Sequence, residues 1–235
     1  MPPVDHAIFR KAVTAALDRE LLVALVTKGY EQSATTFTPP VLLGLTDSKA
    51  GLGIKFDPEQ ACNWLAEAVK LTGGIAPVKE LVLAHDSSEP DIRIAQSVKI
   101  FLKHHLNLDV KLQKKSKKVD AGFIHQNTSP HLYQVQWTGA YPEAYNWIGD
   151  ALSVFTKGWD NPDFTRIMES AAKELDSDKR NTLYKQAERL LVNEQCIVAP
   201  LYYDTAHWLV KPRLKKWRYS PIGGQQVLDW YFGEQ

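Results

Sequence analysis

Apolar side chains recur at helical spacing from residue 8 to residue 26. Phe9, Val13, Ala16, Leu17 and Leu21 share one face and Asp18-Arg19-Glu20 lies opposite, which predicts one amphipathic helix. The pattern is lost over residues 30–56. Thr35-Thr-Phe-Thr-Pro-Pro40 is unsuited to a helix, and Gly44, Gly51 and Gly53 break up the rest of the segment. Asp57-Pro58-Glu59 restarts the helical pattern, with Asp57 as cap and Pro58 at the first helical position. Ala61, Trp64, Leu65 and Ala68 continue it until Gly73-Gly74.

A different alternation begins at residue 80. Glu80–His85 is a short apolar strand, and Ser88 opens a helix through Ile94, Val98, Phe101 and Leu102. Leu108–Leu112 is the next strand. Strand, helix, strand is a βαβ unit, so the two strands should pair in parallel. His131–Trp137 alternates and predicts a third strand, which delivers the turn Thr138–Glu143. Helices come next near 163–175 and 177–193, the second capped by Ser177. Cys196–Tyr203 and Ala206–Val210 read as strands. Gly223-Gly224 makes a hinge-like break before Val227–Phe232. The fold class is α/β, a helix-flanked, mainly parallel sheet built from 80–85, 108–112, 132–137 and 197–203.

Composition narrows the function classes. At 235 residues and 44% hydrophobic, the chain has enough apolar material for a sizeable core. Twenty-eight basic against 27 acidic residues leave no nucleic-acid footprint. The run Lys114–Lys118 lacks interleaved aromatics and reads as a solvated turn. Met1-Pro-Pro-Val-Asp5 carries no signal segment. Cys62 and Cys196 are compatible with one disulfide or with two buried thiols.

Catalytic patterns are lacking. There is no Gly-rich phosphate loop, no His-Glu-x-x-His, no paired-cysteine metal spacing and no Gly-x-Ser-x-Gly. Adjacent His104 and His105 on a helix point about 100° apart and do not chelate one ion as a unit. A non-enzyme without cofactor or metal is expected, and binding is left. In open α/β sheets ligands sit beyond the C-terminal ends of the strands. That singles out residues 133–147, where Trp137, Tyr141, Tyr145 and Trp147 crowd beside Thr138, Gly139 and Asn146. The aromatics either line a cleft or pin a surface loop to the core.

A set of short motifs occurs in a telling order. They are Phe9-Arg-Lys-Ala-Val-Thr-Ala-Ala-Leu-Asp-Arg19, Phe37-Thr-Pro-Pro40, Phe56-Asp-Pro-Glu59 and Gly158-Trp-Asp-Asn-Pro162. Leu183-Tyr-Lys-Gln-Ala-Glu188, Glu194–Tyr203 and Val210-Lys-Pro212 complete the set. Together they resemble the second, C-terminal lobe of the family 5 extracytoplasmic solute-binding proteins of ABC importers, which bind oligopeptides, dipeptides or nickel. The resemblance implies a periplasmic-binding-protein type II lobe over residues 1–211. It also implies a tail, 212–235, that returns toward a missing N-terminal lobe. It implies hinge closure on a peptide or related small solute, delivery to an ABC permease in the membrane, and a periplasmic or extracytoplasmic location. Its ligand wall would be Tyr133, Gln134, Trp137, Thr138, Gly139, Ala140, Tyr141, Glu143 and Asn146. Aligning Trp137 with the family tryptophan puts Gln134 where the family has Arg. It puts Ala140 where peptide binders carry the Asp that pairs with the ligand ammonium, which leaves Glu143 as the nearest carboxylate. A ligand-sensing or protein-interaction module without a transport role is the alternative.

Overall fold

A computed structural model describes residues 2–46, 51–71, 80–115, 130–156, 159–218 and 227–233. Gly73-Gly74, Ser116–Lys118, Gly158 and Gly223-Gly224 lie outside them. The predicted first helix is two: α1 (Ala7–Ala15) and α2 (Arg19–Val26). The Asp18 carboxylate accepts from Leu21 N at 2.9 Å and caps the second. Restarting the helix changes its phase. Leu22 and Val23 turn inward, Leu21 is 44% exposed, and Arg19, predicted on the polar face, is buried.

After β1 (Gln32–Ser33) and a 3-10 turn at Pro40–Leu43, α3 (Pro58–Leu71) starts on its predicted Asp57 cap, which accepts from Gln60 N at 2.9 Å. The βαβ unit forms as expected: β2 (Leu81–His85), α4 (Glu89–Leu106) and β3 (Val110–Lys114), with Leu81 opposite Val110 in a parallel ladder. β3 lies two residues later than predicted. On the other edge β4 (Leu132–Tyr133) pairs in parallel with β2, which makes a three-stranded sheet ordered β3-β2-β4. Only two of the six residues 132–137 are in the ladder; Gln134 N adds one bond to Ala84 O at 2.8 Å before the segment leaves the sheet.

A π-helical turn at Asn146–Ala151 runs into α5 (Leu152–Phe155). Next come α6 (Pro162–Lys173) and α7 (Ser177–Arg189), which ends in a second π turn, Leu190–Glu194. Asp176, not Ser177, caps α7: its carboxylate takes the amides of Asp178 and Lys179, both at 3.0 Å. The predicted strand 197–203 is corrected to β5 (Tyr202–Tyr203). It pairs antiparallel with β1 in a separate two-stranded sheet and not with the parallel sheet. Residues 206–210 are not a strand. β6 (Leu214–Lys215) and β7 (Tyr231–Phe232) form a further antiparallel ribbon.

The apolar side chains collect in two clusters. One lies between α1, α3, α4 and the parallel sheet, around Phe9, Leu22, Leu81, Phe101 and Leu102. The other lies around Leu43, Ile148, Met168, Tyr184 and Leu191. The segment 191–196 bridges them, with Leu191 and Val192 in the second and Cys196 in the first.

The motif residues that carry the resemblance knit these parts together. Arg10 Nε donates to Gln195 O at 2.7 Å, and Arg19 Nε donates to Pro200 O at 2.7 Å, across more than 180 residues of chain. The 36–38 backbone is gripped twice. Tyr203 OH donates to Thr36 O at 2.6 Å. The fully buried Glu188 carboxylate accepts from Phe37 N, Thr38 N and Thr38 Oγ1. Gly53 belongs to this knot, because a Cβ there would lie 2.0 Å from Thr35 O. Both cysteines are free: Cys62 is exposed and Cys196 buried. The disulfide alternative is therefore not realised, and only one of the two thiols is interior.

Candidate ligand-binding site

Beyond the C-terminal ends of β2 and β4 the chain opens into an exposed face of mixed character. Val135, Gln136, Thr138, Ala140, Tyr141 and Pro142 are exposed, while Trp137 is half-buried and meets Phe155 edge to face with centroids 5.5 Å apart. The turn is organised by Asn146, which is 2% exposed. Its Oδ1 accepts from Ala140 N at 2.9 Å and from Trp137 Nε1 at 3.4 Å, and its Nδ2 donates to Asp150 Oδ2 at 2.9 Å. Tyr141 OH donates to the same Asp150 oxygen at 2.6 Å. That bond, with burial and the Asp150 charge behind it, raises the phenol pKa.

Gly139 is required by its neighbour. A Cβ at this position would sit 2.0 Å from Trp147 Cη2, so the outer edge of the indole lies against bare backbone. Gly139→Ala should displace the ring at a cost of about 1–3 kcal/mol, the range for overpacking. Near-ultraviolet circular dichroism and a thermal melt check this; unchanged spectra would show that Trp147 does not depend on the glycine.

The predicted site residues thus fall on one stretch of chain with different jobs, Asn146 lying beneath the surface. Tyr133 and Gln134 are half-buried at the sheet end, and Trp137 and Tyr141 present aromatic surface. Glu143, expected as the nearest carboxylate, is already engaged: its Oε1 accepts from Tyr184 OH at 3.2 Å and lies 3.4 Å from Arg180 Nε. It ties α7 to the turn. Burial, then this carboxylate, pushes the Tyr184 phenol up to about 12.

Several charged groups that sequence spacing did not reveal join the same face. Gln134 Nε2 donates to Asp91 Oδ1 at 2.8 Å, and Gln136 Nε2 to Asp204 Oδ2 at 2.8 Å. Lys115 bridges Asp86 at 2.9 Å and the Gln134 backbone carbonyl. These partners lie 19–68 residues away in sequence, so only the fold assembles them. An open depression of about 340 Å3 between α6 and α7, bordered by Asp163, Arg166, Gln186 and Arg189, lies apart from residues 133–147. Among the described residues no group of three or more His, Cys, Asp or Glu is placed to hold a metal ion. No described helix is long and apolar enough to cross a membrane.

Comparison with known proteins gives this surface a context. The profile of bacterial extracellular solute-binding proteins, family 5 Middle, matches residues 1–158. The oligopeptide-binding protein OppA of Bacillus subtilis is 29% identical over 223 residues, which are 91% of this chain and 40% of that protein. The unliganded open form of the murein tripeptide-binding protein MppA superimposes with a TM-score of 0.74 at 28% identity, covering 92% of this chain and 42% of that one. A solved peptide-binding protein of a peptide ABC transporter superimposes with a TM-score of 0.70 at 17% identity, over 85% of this chain and 92% of that one. At that identity it shows the fold alone, in a chain of similar span. The fold is that of a type II periplasmic-binding-protein lobe. The chain spans about 40% of the length of the curated relatives that it matches.

Proposed function

This chain belongs to the bacterial extracellular solute-binding proteins of family 5, and from that premise we propose that it is one lobe of a receptor that captures peptides or a related small solute outside the cytoplasmic membrane and hands them to an ABC permease. The observation that carries this reading is the open face at the C-terminal ends of β2 and β4. Aromatic surface from Trp137 and Tyr141 stands there on a turn braced by Asn146, which takes the Trp137 and Ala140 N–H groups, and by Asp150, which takes the Tyr141 hydroxyl. A second lobe closing on this face would exclude water and strengthen every polar contact to the ligand. Residues 1–211 would form the binding lobe and residues 212–235 a tail that reaches the other lobe. The tail's apolar side chains fit such a contact: Leu228 is 97% exposed, and Tyr231 and Phe232 are also open to solvent.

Half of an enclosing surface binds weakly. Calorimetry of these 235 residues with tri- and tetrapeptides should give dissociation constants no tighter than about 100 μM. Sub-micromolar binding would show a complete receptor and remove the two-lobe part of the reading. Trp137→Ala tests the wall itself. The indole is half-buried, so its removal should cost less stability than the ~3–5 kcal/mol of emptying a core site. It should still lower peptide affinity several-fold. A large fall in melting temperature with unchanged affinity in the surviving folded protein would instead make Trp137 a core residue.

A further inference from the structure

An acidic corner adjoins the 133–147 face. β1 and β5 pair with Gln32 opposite Tyr203 and Ser33 opposite Tyr202. Just past the end of that short ladder the two chains continue into Glu31 on one side and Asp204 on the other. Asp91 joins them through Gln134: Glu31, Asp91 and Asp204 all act on the Tyr202 phenol and hold its pKa up, behind the larger effect of burial. Gln134 and Gln136 occupy alternate positions of the segment leaving β4 and each give one amide N–H, to Asp91 and Asp204.

Acceptors are then left over. The Glu31 side chain is only 7% exposed, and its Oε2 is buried with no hydrogen-bond partner. Gln134 Oε1 is buried in the same condition. A buried acceptor without a donor is costly, and a buried carboxylate without a cation more so. Two cationic side chains stand near. The His207 ring, 61% exposed, lies 3.5 Å from Glu31 Oε1 and is charged only when protonated. Lys115 is already committed to Asp86 and the Gln134 backbone carbonyl.

We propose that this corner, formed by Glu31, Asp91, Asp204 and the free Oε1 of Gln134, binds a positively charged nitrogen of the ligand, an ammonium or guanidinium. The proposal rests on the reading of the 133–147 face as a ligand wall and specifies what that wall selects. A nitrogen cation supplies several N–H donors to spread acceptors, where a metal ion would need them converged on one point. Charge-assisted bonds to a desolvated carboxylate are strong and orienting. They would make the receptor prefer basic solutes.

The test is titration of the 235-residue protein with trilysine, trialanine and N-acetyl-trialanine amide, followed by amide chemical shifts at up to millimolar ligand. The expected order is trilysine first, with the blocked neutral peptide at least about tenfold weaker. Glu31→Gln should lower trilysine affinity by about tenfold and leave the blocked peptide unchanged. Asp204→Asn serves as a second variant, and Asp163→Asn, an exposed acid on α6, controls for loss of charge in general. Without ligand, Glu31→Gln should hold or raise the melting temperature, because it removes a nearly buried charge whose Oε2 has no partner. Equal binding of all three peptides, or a trilysine loss equal in Asp163→Asn and Glu31→Gln, overturns the proposal and leaves the peptide-binding wall standing. Binding of none of the peptides, with Trp137→Ala indistinguishable from the parent, overturns the wall and the corner together.

Discussion

Stability should fall between about pH 4.5 and pH 7, Glu188→Gln should flatten that fall, and Glu188→Ala should destabilise the protein at every pH. The Glu188 carboxyl is fully buried. Burial raises its pKa from 4.5 to about 7, although the Thr38 hydroxyl and the Phe37 and Thr38 amides all favour the charged form. The folded state therefore holds the proton more tightly than the unfolded chain. The associated stability is fully present below about pH 4.5 and is lost as pH rises through about 7. A shift of that size amounts to about 3 kcal/mol across the window. Glutamine mimics the protonated acid: its carbonyl accepts from Phe37 N, its amide donates to Thr38 Oγ1, and it does not titrate. Alanine leaves the Phe37 amide, the Thr38 amide and the Thr38 hydroxyl without an acceptor inside the knot at residues 36–38, a loss of about 3–5 kcal/mol. Denaturant unfolding at several pH values checks both. Parallel pH slopes for the parent and Glu188→Gln would show that another group carries the dependence.

Glu188 also marks the limit of what the sequence discloses. The motifs around Arg10, Arg19, Phe37-Pro40, Glu188 and Tyr203 identify the family, yet in the structure these residues bind one another's backbone. They specify the lobe and are silent about its ligand. The βαβ unit from Leu81 to Lys114 was legible because β2 is apolar, Val110 and Leu112 alternate with polar residues in β3, and Ser88 caps the helix between them. The strand at 131–137 was overextended for a physical reason. Alternation reports which side chains are buried and does not reveal where a neighbouring strand stops, and β2 offers β4 only two paired positions. The break between α1 and α2 was hidden because Leu17 and Leu21 continue the helical stripe, while the Asp18 cap that resets it is one residue among three charges. The site was half legible. The aromatic run at 137–147 is contiguous, whereas Glu31, Asp91 and Asp204 meet it from three separate parts of the chain.

Arg19→Ala should be among the most damaging substitutions outside the knot, and more damaging than Arg10→Ala. Both arginines tie the N-terminal helices to residues 195–200, but their surroundings differ. Arg19 is 4% exposed, and burial lowers its pKa to about 10. Its Nε bonds Pro200 O at 2.7 Å and its Nη1 bonds Leu17 O at 3.1 Å. Removing it opens a cavity the size of a long side chain and strips two buried carbonyls of charged donors. The expected loss is about 3–5 kcal/mol, offset in part because a cation without a close carboxylate no longer has to be desolvated. Arg10 is half-buried and serves three carbonyls, Gln195 O, Val4 O and Asp5 O, of which the last is reached at an exposed position. Water can replace part of that set, so Arg10→Ala should cost only about 1–3 kcal/mol. Arg19→Lys should recover little, because a single ammonium does not reproduce a planar fork whose two nitrogens reach carbonyls as far apart in the chain as Leu17 and Pro200. Equilibrium unfolding of the three variants orders them directly. If Arg10→Ala cost as much as Arg19→Ala, or Arg19→Lys restored full stability, the closure of this fold would depend on charge near residues 195–200 and not on the buried fork of Arg19.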